Sequence, residues 1–252
     1  MNAIKEAIPV PSLAYAVPIL AGKTEDVRIL AAEIMGPRLE EHTRTMVEKG
    51  LERETLWVQP TNRGDLLILY LEGANPWEAI TRLAESQGAY DRWYKEQLGA
   101  GGVTGIDLSR PIPPDSVEPV YASHLPSEEA HQESLAFVVP LLAGKRNEWR
   151  QLVEEIKGPR AKEMEDYHRR MGITTENWYL EHTTQGDMIV VYLRTPNLPE
   201  TLTKISEARE PFDRWLKERL GETQGLDYDR PFEIIPELVF DWQSQRRERA
   251  VA

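Results

Sequence analysis

The sequence predicts an α+β protein made of two tandem repeats, and two observations lead to this class. First, the segment Ser12–Lys23 returns almost unchanged as Ser134–Lys145, and roughly four positions in ten match at that spacing up to Leu98. Second, strand-forming runs and stretches of helical periodicity alternate within each copy in the order β-α-β-β-α-β. That order is typical of a four-stranded antiparallel sheet with two helices on one face, the ferredoxin-like arrangement. We therefore expect one such repeat at residues 12–122 and another at 134–242.

The first strand and helix of each repeat follow from apolar spacing. Leu13–Ile19 is a short run of strand formers that ends in proline and small residues. Beyond it, four apolar residues recur with the spacing of one buried helix face: Val27, Leu30, Ala31 and Ile34. Pro37 follows, and its counterpart is Pro159. Because proline lacks a backbone donor and clashes with the preceding turn, we expect the helix to kink or restart there.

A hairpin and a final strand complete the pattern of strands. Thr55–Gln59 and Asp65–Glu72 are the two hairpin strands, and the second repeat reproduces both. The last strand is expected near Val117–Tyr121, with Pro236–Phe240 as its counterpart. Each repeat therefore contains the four strands that one sheet needs.

The second helix of each repeat begins at an asparagine. Asn75 and Asn197 are good N-cap residues, each with a glutamate three positions later. The apolar face of the first of these helices extends to Leu98. Outside the repeats, residues 1–11 are expected to form an arm and residues 243–252 a charged tail.

Composition excludes several classes of function. The 252 residues carry 42 acidic and 30 basic side chains, a formal charge of −12 that repels phosphate backbones, so we expect no nucleic-acid partner. The absence of cysteine excludes disulfides, thiolate metal sites and cysteine nucleophiles. No apolar run reaches membrane-spanning length, and the apolar stretch at 8–20 has a twin inside the chain, so it is interpreted as a strand and not as a signal peptide. A cytoplasmic protein without membrane association is expected.

The strands are apolar on both faces. Trp57, Tyr70, Tyr179 and Tyr192 alternate along strands whose other face is apolar too. Strands of this kind need burial on both sides, and the economical solution presses the two sheets face to face into a closed or nearly closed barrel. One chain would then contain an intramolecular pseudo-dimer, either as a monomer or within a homo-oligomer.

This order of elements resembles a known superfamily. A strand, then Pro-x-x-x-Gly-Lys at Pro18–Lys23 and again at Pro140–Lys145, then an amphipathic helix, a hairpin and a second helix is similar to the dimeric α+β barrel proteins. These include antibiotic-biosynthesis monooxygenase-like, EthD-like and stress-responsive barrel proteins, small polyketide cyclases, and haem-binding chlorite dismutase-like and dye-decolorising enzymes. The resemblance implies the barrel, with two protomers fused in one chain. It does not select one activity, because these families differ in function on one scaffold.

The interior of such a barrel is the expected binding site. Side chains alternate along a strand, so Trp57 and Gln59 point inward if their neighbours pack on the helices, as do Tyr179 and Glu181. The predicted substrate-binding residues are Trp57, Gln59, Tyr70, Tyr179 and Tyr192. A low dielectric would raise the pKa of Glu181, which could then act as a general acid or base. The alternative is that the aromatic residues simply fill the barrel, with Gln59 and Glu181 hydrogen-bonded.

Histidines distinguish the two repeats. His168 and His182 have no histidine counterpart in the first repeat, and a fused pseudo-dimer needs only one working half. Either could carry a proton or ligate haem iron, and the alternative is that both are solvated surface residues. The histidine spacings contain no metal-binding signature, so we expect no metal site.

Three functions remain open at this stage. The first is a small-molecule-binding barrel that acts as a cofactor-independent enzyme of monooxygenase, cyclase or isomerase type on an aromatic or polyketide-like substrate. Its catalytic residues would be Glu181, His168 and His182. The second is a haem-binding barrel protein. The third is a non-catalytic stress or assembly module with a filled barrel, so the sequence alone does not establish an enzyme.

Overall fold

The computed structural model describes residues 10–127 and 131–244 as two compact units. We call the unit formed by residues 10–117 and 236–244 the N-unit. The described part of residues 118–235 is the C-unit. Each unit contains one four-stranded sheet.

Two expectations from the sequence concern the terminal segments and the absence of membrane-spanning helices. The predicted arm at 1–11 and the predicted tail at 243–252 lie outside the described residues, apart from residues 10–11 and 243–244. Within the described ranges, no helix combines the length and the apolar character that crossing a bilayer requires.

The N-unit sheet has the strand order β1-β3-β2-β8, and all its neighbouring strands are antiparallel. The elements of this unit are β1 (Ser12–Pro18), α1 (Thr24–Met35), α2 (Leu39–Glu48), β2 (Leu51–Gln59), β3 (Leu66–Gly73), α3 (Pro76–Glu85), α4 (Ala89–Leu98) and β8 (Glu237–Gln243).

The C-unit sheet has the strand order β4-β6-β7-β5, in which β7 pairs antiparallel with both β5 and β6. Its elements are β4 (Val117–His124), β5 (Glu133–Pro140), α5 (Arg146–Lys157), α6 (Ala161–Met171), β6 (Thr175–Thr183), β7 (Gly186–Thr195), α7 (Leu198–Glu207) and α8 (Pro211–Gln224).

The repeats exchange their last strands. β8 comes from the second repeat but pairs with β2 of the first, where Leu56 lies opposite Phe240, and β4 of the first repeat lies beside β6 of the second. The sequence pattern had placed each last strand in the sheet of its own repeat. Because the two repeats are similar, the free edges of β2 and β6 offer similar pairing partners, and local pattern does not choose between them. The ranges 12–122 and 134–242 therefore describe sequence repeats whose last strands are exchanged.

Local helix signals act as expected. The first helical stretch ends at Met35 and restarts at Leu39, on either side of Pro37. The N-caps also form, because Oδ1 of Asn75 and Oδ1 of Asn197 each accept a hydrogen bond from the backbone N–H three residues later, at 3.2 and 3.1 Å.

The second helical stretch differs from the single helix that the sequence predicts. It is divided into α3 and α4, and Ser86 after α3 has an extended backbone. The Nζ of Lys95 donates to the carbonyls of Ala84 and Ser86, both at 2.8 Å, and so satisfies acceptors that the break exposes. Lys217 does the same between α7 and α8. In each repeat a lysine therefore stabilises the break between the two helices.

One face of the C-unit sheet packs on the helices. Trp178 and Leu180 of β6 share a buried core with Trp149 of α5. Since side chains alternate along a strand, Tyr179 and Glu181 point to the opposite face of the sheet. This assignment of faces determines which residues can meet at a site.

Candidate functional site

A glutamate occupies the same repeat position on the helix side of both sheets. Glu54 of β2 and Glu176 of β6 lie 176 − 54 = 122 positions apart. Their exposed fractions are only 2% and 8%. Glu176 is two residues before Trp178, so alternation directs it towards the helices. Because carboxylates are rarely buried unless they have polar partners, both positions mark the centre of a polar cluster.

The C-unit cluster consists of Ser123, His168 and Glu176. The imidazole of His168 is buried, its Nε2 lies 2.6 Å from Oε2 of Glu176, and its Nδ1 lies 3.2 Å from Oγ of Ser123. The three side chains come from β4, α6 and β6. A histidine held on one side by a carboxylate and on the other by a hydroxyl has a fixed ring orientation and can receive or deliver a proton.

Two tyrosines flank this histidine. The ring centroids of Tyr121 and Tyr167 lie 6.2 and 6.1 Å from that of His168. Burial, and secondarily the charge of Glu176, raises the pKa of both phenols well above the ordinary value. Both tyrosines therefore stay protonated, and they act as walls or hydrogen-bond donors but not as bases.

A cavity of about 60 Å³ lies beside Glu176 on the helix side of the C-unit sheet. At about 10–15 Å³ per water, this volume holds roughly four or five water molecules. Most of its lining is apolar, and examples from both the sheet and the covering segments are Phe137, Trp178, Val191, Leu216 and Phe232. Glu176, Gln224 and Tyr228 add polar atoms to this lining. An apolar cavity with a few polar groups is the usual form of a small-molecule site.

The segment 225–235 covers this cavity without being part of a helix or strand. It contributes Tyr228 and Phe232 to the lining, and the hydroxyl of Tyr228 donates to Oε1 of Gln224. Asp229 accepts from Nζ of Lys217 at 2.9 Å. These side-chain contacts hold the segment in place. Because the segment forms no strand, its movement breaks no hydrogen bonds between strands.

The N-unit cluster consists of Tyr90, His42, Glu54 and Tyr94. Nδ1 of His42 lies 2.8 Å from the hydroxyl of Tyr90, and the hydroxyl of Tyr94 donates to Oε1 of Glu54 at 2.5 Å. Nε2 of His42 and Oε2 of Glu54 lie 3.5 Å apart. Strand β8 closes the cluster, because the ring of Trp242 lies 5.2 Å from that of His42.

Charge is disfavoured throughout the N-unit cluster. Burial, and secondarily the charge of Lys49, lowers the pKa of His42 to about 3. Burial raises the pKa of Glu54 to about 7, against the smaller opposing effect of the hydrogen bond from Tyr94. Although the two groups are 3.5 Å apart, they do not form an ion pair at neutral pH, because the imidazole is uncharged.

The N-unit also has a cavity beside its glutamate. Its volume is about 40 Å³, and Glu54 and Tyr94 contribute to an otherwise largely apolar lining. Lys49 also reaches this lining, but its Nζ is paired with both carboxylate oxygens of Asp91 at 2.9 Å. The two units thus place a cavity and a buried glutamate in equivalent positions.

The two histidines reach this glutamate from different helix positions. His168 corresponds to position 168 − 122 = 46 of the first repeat, where Met46 stands, and this is four residues after His42. Residues four apart lie on the same helix face, one turn from each other. Each repeat therefore places one histidine beside its own copy of this glutamate, and the two histidines come from helix positions one turn apart.

Known structures share this fold. A protein described as anthrone oxidase-like has 10% sequence identity and a TM-score of 0.50, with 94% of this chain and 98% of that chain covered. A candidate monooxygenase from Lactobacillus acidophilus NCFM has 9% identity and a TM-score of 0.51, with 93% and 96% covered. No protein-family model matches the chain, and no curated protein matches it in sequence.

These likenesses confirm the predicted fold class. The chain is α+β, with two four-stranded sheets in one polypeptide, and it shares the fold of the anthrone oxidase-like protein and of the candidate monooxygenase. At 9–10% identity the likeness establishes the fold alone.

The predicted substrate-binding residues lie on the sheet faces opposite the helices, whereas both cavities lie on the helix faces. By alternation this holds for Trp57, Gln59, Tyr70, Tyr179 and Tyr192. Four of them are buried, with exposed fractions of 0–2%, and Gln59 is half-buried. Trp57 donates from Nε1 to Thr55 at 3.0 Å, and Tyr70 donates to Glu72 at 3.3 Å. None of the five lines either cavity.

The predicted catalytic residues are not brought together. His168 belongs to the C-unit cluster, but Glu181 lies on the opposite face of β6. His182 is half-buried at the hairpin, where its Nδ1 lies 2.8 Å from Oδ1 of Asp187, a carboxylate that Arg146 also binds. Of the three, only His168 lies beside a cavity-lining carboxylate.

Sequence reasoning missed the partners of His168. Neither Glu176 nor Ser123 was nominated, nor was the pair of His42 and Glu54. One signal was present, because a glutamate stands in the apolar phase of the same strand in both repeats.

Two observations concern haem and metal ligation. Both ring nitrogens of His168 have hydrogen-bonding partners, so no nitrogen is left to ligate haem iron. Among residues 10–127 and 131–244, no group of three or more potential metal-ligating side chains comes together.

Proposed function

We propose that the protein binds a hydroxylated aromatic compound in the C-unit cavity and oxidises it with dioxygen, without a bound organic cofactor. The apolar lining supports an aromatic substrate, and the single observation that carries the proposal is the buried His168–Glu176 pair at 2.6 Å beside that lining. Two proteins with this fold are described as a candidate monooxygenase and as anthrone oxidase-like, and both descriptions agree with oxidation of an aromatic compound.

The proposed reaction begins with proton removal. A phenol, or a methylene group activated by an adjacent aryl ketone, loses a proton to the His168–Glu176 pair. The resulting carbanion or phenolate is electron-rich and reduces dioxygen. One oxygen atom becomes a ring carbonyl and the other leaves as water, so that a CH₂ group and O₂ give a C=O group and H₂O. The protein supplies proton acceptance, orientation and exclusion of water.

Substrate entry requires the segment 225–235 to move. A cavity that holds roughly four or five water molecules is smaller than a single aromatic ring with substituents, whereas the side chains of Tyr228 and Phe232 in this segment form part of its wall. Outward displacement of the segment breaks the contacts with Gln224 and Lys217 and enlarges the cavity. We therefore propose that this segment opens to admit the substrate.

Oxygen uptake with 1,8-dihydroxyanthrone tests the proposal. The full chain in air-saturated, metal-depleted buffer is expected to consume one O₂ per quinone formed, above the rate of spontaneous oxidation. The variants His168→Asn and Glu176→Gln are expected to lose about 100-fold or more of the rate, as is usual when a general base is removed. His182→Asn is the matched control, because that histidine contacts Asp187 at the hairpin and not the cavity-lining Glu176, so its variant should retain the rate.

Two results would contradict the proposal. If His168→Asn and His182→Asn have equal rates, the pair does not act in the reaction. If neither turnover nor binding is seen with anthrones, naphthols or simple phenols, the remaining hypothesis is a non-catalytic module.

A further inference from the structure

The N-unit cluster contains a gap that the C-unit cluster lacks. Nε2 of His42 and Oε2 of Glu54 face each other at 3.5 Å, and neither atom has a hydrogen-bond partner among the residues that the structure describes. In the C-unit the corresponding pair, His168 and Glu176, is in direct contact at 2.6 Å. A buried polar atom without a partner destabilises the folded state, so two such atoms side by side require an explanation.

A hydroxyl group has the right properties to fill this gap. The other polar atoms of the pair are already engaged, since Tyr90 contacts Nδ1 of His42 and Tyr94 donates to Oε1 of Glu54. A hydroxyl both donates and accepts, so it satisfies the two open atoms whichever of them carries the proton. Its oxygen can lie about 2.8 Å from each atom, to one side of the line that joins them, because a separation of 3.5 Å leaves no room between the two.

Burial selects an uncharged ligand. Glu54 is 2% exposed and His42 is fully buried, and the surroundings that keep this imidazole neutral also oppose a second charge. Two cations reach the cavity lining, and each already forms an ion pair, Lys49 with Asp91 and Arg110 with Asp107. A carboxylate or phosphate would therefore have to compete with Asp91 or Asp107 for these cations.

The adjoining cavity fits a small apolar group. Its volume of about 40 Å³ corresponds to roughly three water molecules. Most of the lining is aliphatic, with Leu51, Leu69, Leu71, Ala79 and Leu98 as examples, and the residues with polar groups are Tyr15, Lys49, Glu54, Tyr94 and Arg110. Such a cavity accepts a short alkyl group better than water, which would find few partners there.

We propose that the N-unit contains a second ligand site, in which the hydroxyl of a small uncharged alcohol bridges His42 and Glu54 and its alkyl group fills the adjoining cavity. This site is distinct from the C-unit cavity and is independent of the oxidation proposed there. The two repeats thus differ at equivalent glutamates. The histidine and the glutamate are in hydrogen-bond contact in the C-unit, whereas they are 3.5 Å apart in the N-unit.

Fluorine NMR on the full chain tests this site with 2,2,2-trifluoroethanol as the probe and trifluoroacetate as its charged analogue. We expect saturable binding of the alcohol and none of the anion. Ala79→Leu fills the cavity, and Glu54→Leu removes the hydrogen-bonding carboxylate, so each variant is expected to weaken binding at least about tenfold. Glu176→Gln, at the equivalent position of the C-unit, should bind the alcohol like the unmodified chain.

The outcomes separate clearly. Should Glu54→Leu fail to fold, Ala79→Leu, which keeps both open polar atoms, still decides the matter. The proposal is overturned if the alcohol does not bind. It is also overturned if Ala79→Leu leaves binding unchanged, or if Glu176→Gln abolishes it.

Discussion

Replacing Glu54 by glutamine is expected to stabilise the protein at neutral pH and to have little such effect in acid. Burial raises the pKa of Glu54 from 4.5 to about 7 in the folded chain. The folded state therefore binds this proton more tightly than the unfolded state, and the contribution of Glu54 to the free energy of unfolding falls as pH rises from 4.5 to 7. At about 1.4 kcal/mol per pH unit, this loss approaches about 3 kcal/mol above pH 7. Glutamine cannot ionise, so the free energy of unfolding of the variant does not undergo this loss.

His42 acts in the opposite direction and masks the effect in the unmodified protein. Burial lowers its pKa from 6.5 to about 3, so the unfolded state binds more protons between these values and stability rises with pH there. Between pH 4.5 and 6.5 the contributions of His42 and Glu54 largely cancel. Comparison of Glu54→Gln with the unmodified chain removes the shared histidine term and isolates the glutamate.

Urea unfolding followed by tryptophan fluorescence and circular dichroism measures this difference across the range. We expect the variant and the unmodified chain to differ least below pH 4.5 and to diverge by about 3 kcal/mol in favour of the variant above pH 7. Glu40→Gln, on the exposed side of α2, controls for loss of a surface carboxylate. A difference that stays constant with pH, or that shrinks as pH rises, would refute the reasoning about burial.

Three further predictions concern the C-unit. Ser123→Ala removes the contact to Nδ1 of His168, so kcat for anthrone oxidation should fall about tenfold with little change in KM; an unchanged kcat in steady-state kinetics would contradict a positioning role. Tyr228→Phe breaks the contact with Gln224, and stopped-flow mixing should show faster ligand entry, whereas slower entry would count against movement of the covering segment. Asn197→Ala removes the N-cap of α7 and should cost about 1 kcal/mol in urea unfolding, and a change near zero would argue against that cap.

The fold was largely predictable because its signals are local. The doubled segment, the break at Pro37 and the N-cap at Asn75 each depend on a few neighbouring residues, and all appear in the structure. The exchange of β4 and β8 was not predictable in this way. Choosing a partner strand is a long-range decision, and the similarity of the repeats makes the two possible partners nearly equivalent in sequence.

The candidate site was less predictable, although part of its signal was visible. Glu54 and Glu176 stand in the apolar phase of a strand, where a charge is costly unless the fold provides partners. The histidines obscured their common role, because His42 and His168 differ by one helical turn and therefore align with methionines in the repeat comparison. Ser123 reaches His168 from the exchanged strand β4, which no pattern within the second repeat could reveal.

The most direct test of the proposed site is a crystal structure with a phenolic ligand, such as 1,8-dihydroxyanthrone with oxygen excluded. The account predicts that the ligand lies on the helix side of the C-unit sheet, with a hydroxyl within hydrogen-bonding distance of Glu176 and the segment 225–235 displaced. A ligand bound on the opposite face of the sheet, beside Tyr179 and Tyr192 and away from Glu176, would contradict it.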